Sequence, residues 1–163
     1  MFPHYSLKHN PDGSYNFISE QGHNYLIYFS ESTLPDSENN THIVYNLGFS
    51  RNGDHSCEPF THVYNGKIRA TITLIIDNFF KKNDHRTLIY FCFGDDGYSR
   101  HRNIVFNQWF KDLNDKIEKC NRIIAFEDNK VYACLVIVKD NPLKGLILDA
   151  FDEYLNDLKD SKN

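Results

Sequence analysis

The sequence predicts an α+β fold, a single domain with a mostly antiparallel, twisted sheet and three helices. Three observations predict it. Several runs alternate apolar and polar residues with a period of two, the pattern of strands with one buried face. Three other stretches repeat apolar residues at three- and four-residue spacing, the pattern of helices packed along one side. Between two of these helical stretches, Thr87–Phe93 is apolar on both faces, as a central strand covered from both sides must be.

The bulk properties agree. A chain of 163 residues suits one domain and is long enough to bury about two-thirds of its unfolded surface. The 13 Phe and 10 Tyr against one Met suit strand faces and sheet-on-helix packing. A net charge of −4 argues against general nucleic-acid binding, which needs a basic surface. No apolar run approaches the roughly 18–20 residues of a membrane span. The N-terminus lacks a charged region followed by an apolar one, so no signal peptide is expected. Cys57, Cys92, Cys120 and Cys134 form no CxxC pair, and Cys92 and Cys134 sit within apolar runs. Reduced thiols in a cytoplasmic protein follow.

Taken in order, residues 1–13 are polar, contain two prolines and a glycine, and read as an extended or frayed start. Ser14–Ser19 and Asn24–Glu31 alternate around Gly22, a β-hairpin with glycine available for a positive φ. Ser32–Thr41 reads as a polar connection. A third strand follows at His42–Ser50, and short connections make an antiparallel meander the expected arrangement. Arg51–Tyr64 is the longest stretch without a pattern. From Lys67 the period becomes helical, through Ile68, Ile72, Ile75, Ile76, Phe79 and Phe80. Asn65 is placed to cap that helix, and Lys81-Lys82 to end it.

After the central strand, Ser99 is placed to cap a second helix whose buried stripe is Phe106, Trp109, Phe110 and Leu113. Asn121–Phe126 and Val131–Lys139 read as two strands joined by a turn. Asn141 and Pro142 then open the last helix, Pro142–Asp160, with Leu143, Ile147, Ala150, Phe151, Tyr154 and Leu158 on one face. Its acids, Asp149, Asp152, Glu153, Asp157 and Asp160, suit a solvated side or an interaction arm. Residues 159–163 are expected to fray. The predicted order is βββ-α-β-α-ββ-α.

Two corners carry the chemistry worth weighing. Asp95, Asp96, Arg100, His101 and Arg102 surround the start of the second helix. Two arginines there suit a clamp on a phosphate or carboxylate, with an aspartate holding one guanidinium. The plainer reading is a solvated corner where the aspartates favour the helix dipole and pair with the arginines, each pair contributing about 0–1 kcal/mol. The second corner is Asn65–Arg69, where Gly66, Lys67 and Arg69 open the first helix. His55, Cys57 and His62 lack the paired spacing of a structural zinc site, and no metal is expected. Nor does their nearness in sequence make Cys57 a nucleophile. No HExxH, GxSxG or Walker-type loop is present.

In YNFISEQGHNYLIYFSES, KIRATITLIIDNFF, LIYFCFGDDGYSRHRNIVFNQWF and NPLKGLILDAF the chain resembles a family of small bacterial proteins known only as a domain of unknown function. That resemblance brings no functional motif, so no residue role carries over. The predicted topology separately resembles the GNAT N-acetyltransferase core. That resemblance implies a pyrophosphate-holding corner at Asn65–Arg69, where free backbone N–H groups, the helix dipole, Lys67 and Arg69 favour phosphate. A GNAT loop is usually glycine-rich, and YNGKIRA offers only Gly66.

Two functions therefore stay open. One is a small, non-catalytic or degenerate GNAT-like module binding a protein partner or a small anionic ligand, with no cofactor. The other is an N-acetyltransferase using acetyl-CoA at Asn65–Arg69. The ligand-binding candidates are Asn65, Gly66, Lys67, Arg69, Asp95, Arg100 and Arg102.

Overall fold

The computed structural model describes residues 3–51, 66–82, 85–93 and 99–161. The alternating runs at the start of the chain form β1 (Lys8–His9), β2 (Tyr15–Ile18), β3 (Asn24–Pro35) and β4 (Thr41–Arg51). The hairpin joining β2 to β3 turns where expected. Gly22 takes φ +82°, a region that costs a glycine nothing. Next come α1 (Gly66–Lys82), β5 (Thr87–Cys92), α2 (Ser99–Trp109), β6 (Ile117–Ala125), β7 (Lys130–Val138) and α3 (Lys144–Ser161). Among the described residues these strands form one seven-stranded sheet, ordered β1-β2-β3-β4-β5-β7-β6. Every neighbouring pair is antiparallel except β4–β5, which is parallel and is joined through α1. A parallel pair needs such a crossover because no tight turn can link its ends.

The helices bury apolar stripes against both faces of the sheet. Ile68, Ile72, Ile75, Ile76, Phe79 and Phe80 of α1 and Trp109 and Phe110 beside α2 pack on one face, with Leu88, Tyr90, Cys134 and Val136 beneath them. Ile147, Ala150, Phe151 and Leu155 of α3 pack on the other, over Ile89, Leu135 and Ile137. β5 and β7 are thus covered from both sides, which is why their sequences are apolar throughout. Each fully buried aliphatic or Phe side chain contributes roughly 1.5–3 kcal/mol.

Several details differ from the sequence expectation, among them the strand read from Asn121, which already begins at Ile117. The connection read at Ser32–Thr41 is mostly strand: Ser32, Thr33, Leu34 and Pro35 pair with Val44, Ile43, His42 and Thr41. Pro35 is tolerated because β2 reaches only as far as Ile27, leaving that side of β3 without a ladder. Asp36 and not a glycine organises the remaining turn. Its Oδ1 accepts from the N–H of Glu38 (2.8 Å) and Asn40 (2.9 Å), while Oδ2 meets His42 Nε2 at 2.6 Å.

Another detail is the N-terminal arm, which is extended and held. Lys8 and His9 pair with Asn16 and Tyr15, and buried Tyr5 donates its N–H to Thr71 Oγ1 (2.9 Å) on α1. In addition, α3 is rotated from the expected stripe. Leu143 and Tyr154 are 46% and 41% exposed, whereas Leu155 is buried. Lastly, Ser99 is the first residue of α2, and its hydroxyl donates to the Lys130 carbonyl (2.9 Å) at the start of β7. Asn141 does act as a cap, accepting from the N–H of Leu143 (2.9 Å). Residues 159–161 continue α3.

Candidate functional site

The parallel arrangement of β4 and β5 brings the two predicted corners to one edge of the sheet. Because the strands run the same way, both end at that edge. The chain then continues from β4 towards α1, and from β5 towards α2. The β2–β3 turn reaches the same edge, since Tyr25 pairs with Arg51 at the end of β4. In open α/β arrangements the carboxyl ends of adjacent parallel strands are where ligands gather, because helix N-termini converge there.

The β4–β5 ladder is short. It consists of Tyr45↔Leu88 and Asn46↔Ile89, although β4 runs on to Arg51 and β5 to Cys92. By contrast, β3 and β4 stay in register from Tyr25↔Arg51 to Pro35↔Thr41. Towards the site edge, β4 and β5 are therefore not joined as a ladder. Aromatic rings span the junction on the α1/α2 face. Phe49 of β4 meets Trp109 (centroids 5.2 Å), Trp109 meets Phe106 (5.1 Å), and Phe106 meets Tyr90 of β5 (5.1 Å).

The predicted site residues fall around this junction as follows. Gly66 is the first residue of α1. Lys67 holds Glu20 Oε1 at 3.1 Å and lies 4.5 Å above the Tyr5 ring, so it ties α1 to the β2–β3 turn. Arg69 forms an ion pair with Asp112, linking α1 to the turn after α2. Arg102 donates from Nη1 to the Phe93 carbonyl (2.8 Å), which fastens α2 to the end of β5. Arg100 is exposed. Asn65, Asp95 and Asp96 lie outside the described residues, as do His55, Cys57 and His62 of the sequence reading. Three of the four placed cations thus hold neighbouring elements at the edge. The sequence showed the cations; it did not show Glu20 and Asp112, distant carboxylates that only folding brings near.

One polar cluster under α2 went unnoticed in the sequence because its members look like ordinary strand residues. Tyr90, Cys134 and Lys119 occupy adjacent strands on that face. Lys119 Nζ donates to Asn107 Oδ1 of α2 and lies 5.9 Å from the Phe110 ring centroid. Burial lowers the Lys119 pKa. Burial also pushes the Cys134 thiol up to about 12, and raises the Tyr90 phenol still further. Cys134 and Tyr90 stay proton-bound across the neutral range, which suits a structural polar seam and not a nucleophile.

Residues 64–153 match the family of unknown function DUF6169. The chain belongs to this family. The DUF6169 segment runs from the start of α1 into α3, so it contains both corners and the crossover helix that leads into β5. Strands β1 to β4 lie outside the DUF6169 match, and they supply the other wall of the β4–β5 junction. No curated protein and no solved structure matches the chain.

Proposed function

We propose that this protein is a binding module of GNAT-like architecture that takes an acyl-CoA at the β4–β5 junction. The observation that supports the reading best is the single parallel pair in an otherwise antiparallel sheet, laddered only at Tyr45↔Leu88 and Asn46↔Ile89. A narrow, extended acyl-pantetheine chain suits the stretch beyond Asn46↔Ile89, where β4 and β5 run on without a ladder. The start of α1, at the same edge, turns its positive dipole end towards the pyrophosphate. Lys67 and Arg69 already hold Glu20 and Asp112. The helix dipole is therefore the chief attraction for phosphate, with Lys67 adding charge only by leaving an exposed carboxylate. Such an exposed pair is weak and easily exchanged.

The experiment is thermal shift and calorimetry with acetyl-CoA and CoA. A ligand bound only by the folded chain raises stability by about 2.7 kcal/mol at a hundredfold over Kd. A rise in Tm with either compound is expected, and no shift at millimolar concentration overturns the proposal. Transfer is read in the same samples by thiol release with primary amines added. Release marks an N-acetyltransferase, which in such a site needs little beyond positioning of amine and thioester. Binding without release marks a degenerate, non-catalytic module. Cytoplasmic placement belongs to the same proposal, supported by the unbridged thiols of Cys120 and Cys134.

A further inference from the structure

We infer that two copies of this chain pair through β6, edge to edge and antiparallel, to make one continuous sheet with Cys120 on the two-fold axis. β6 is the last strand of the sheet, with β7 on one side and no strand on the other among the described residues. Its free side can be assigned. The Lys116 carbonyl accepts from the N–H of Lys139, just beyond β7, so residue 116 faces β7. Main-chain groups alternate along a strand, so residues 118, 120, 122 and 124 face β7 as well. Those of 117, 119, 121, 123 and 125 face the open edge. The Asn121 carbonyl accepts Arg122 Nη1 at 3.0 Å on that open side. The edge carries no proline, and Ile123 stands on it 62% exposed. An uncovered strand of this length is a template for another chain.

The side chains select a second copy as the partner, and select the register. Outward groups meet only if odd-numbered residues face odd-numbered residues. With the axis at Cys120, Ile117 faces Ile123 of the second copy and Lys119 faces Asn121. Glu118 faces Arg122, an opposite-charge pair on the α3 face, repeated by symmetry. α3 already orients both charges. Lys144 Nζ holds Glu118 Oε2 at 2.6 Å, and Asp152 holds Arg122 Nε at 2.7 Å. Pairing would join them in a row, Lys144–Glu118–Arg122–Asp152, running from one copy to the next. Moving the axis one residue either way sets Cys120 against a charge, and moving it two sets Glu118 or Arg122 against itself.

In the chosen register Cys120 meets Cys120 as a pair without mutual hydrogen bonds. Such pairs have Cα atoms about 4.5 Å apart, inside the roughly 4.4–6.8 Å span of a disulfide. The native cysteine therefore reports on the interface. The full chain, at submillimolar concentration, is weighed by light scattering and then treated with diamide. Two thiols give up two electrons and two protons to the diazene, which becomes the hydrazine, and an S–S bond forms between copies. A mass twice the 19.2 kDa of one chain and a Cys120–Cys120 peptide in the digest are expected. Cys120→Ser should keep the double mass and lose the linkage. Ile123→Lys alters an exposed side chain, so it should leave the far-UV circular dichroism unchanged, halve the mass and abolish linkage. Asn121→Pro, which removes one outward N–H, tests the same edge if the lysine variant does not fold. A single-chain mass in the parent overturns the inference. So does a dimer whose Cys120 thiols do not link, or one that survives both edge variants.

Discussion

The Tyr28 ring covers Gly48, the residue directly opposite it in the β3–β4 ladder, so closely that a Cβ on Gly48 would collide with the ring carbons. The bare glycine backbone is shielded by its cross-strand neighbour, a pairing also used deliberately to steady glycines in sheets. Gly48→Ala should therefore evict the ring and cost about 1–3 kcal/mol, the usual range for overpacking. Tyr28→Ala removes the obstacle, so the double variant should be less destabilised than the sum of the singles. Urea titration of the four proteins reads this directly, and simple additivity would show that the two residues do not interact.

A second prediction concerns acid. Burial alone would raise the Asp36 carboxyl, but the His42 ring and the N–H groups of Asn40 and Glu38 outweigh it and hold the pKa below the usual carboxylate value. A depressed folded pKa contributes stability that is complete above the unfolded value, about pH 4, and is lost as pH falls through the folded value. Asp36→Asn should lower Tm at neutral pH, with the gap to the parent narrowing as pH drops below about 4. A constant gap from pH 7 to strong acid would contradict it.

Thiol reactivity gives a third. With its pKa pushed up to about 12 by burial beneath α2, Cys134 is a neutral, enclosed thiol at pH 8. An aromatic disulfide reagent should label it only as the chain unfolds, at the rate of global opening. Half-buried Cys120 should react sooner. Labelling of Cys134 before the loss of far-UV signal would mean that α2 opens independently.

The N-terminal arm supplies a fourth. Thr71 Oγ1 accepts the buried Tyr5 N–H and donates to the Lys67 carbonyl (2.6 Å). Thr71→Val preserves the shape and leaves the Tyr5 N–H without that acceptor, at a cost of about 1–3 kcal/mol. The accompanying sign is faster protease cleavage before β2. Equal cleavage rates in variant and parent would show that the arm is held by its other contacts.

Element types were legible in the sequence wherever the hydrophobic period was clean. The α1 stripe from Ile68 to Phe80 is found as read, and the two-faced strand read at Thr87–Phe93 is found as Thr87–Cys92, with Phe93 exposed beyond its end. Legibility failed where polar residues do structural work. Ser32–Pro35 looks like a turn, yet it pairs along β4 because Leu34 is drawn under α3 and Asp36 satisfies the turn's main-chain groups. The α3 face shifted towards Leu155 because a helix with apolar residues on a broad arc can be rotated by one position. Only the sheet beneath it chooses.

The candidate site divides in the same way. The cations Lys67, Arg69 and Arg102 were visible as helix-start residues, because charge near a helix end is a local property. That the two corners share one edge could not be read, since it depends on β5 lying parallel beside β4 after a crossover. Nor could the capture of Lys67 by Glu20 and of Arg69 by Asp112. Periodicity states which side chains must leave water, and so the sequence by itself determined the strands, the helices and their buried faces. It does not state which neighbour receives them. Strand order, the short β4–β5 ladder and the open β6 edge were decided only when the whole chain buried those faces together.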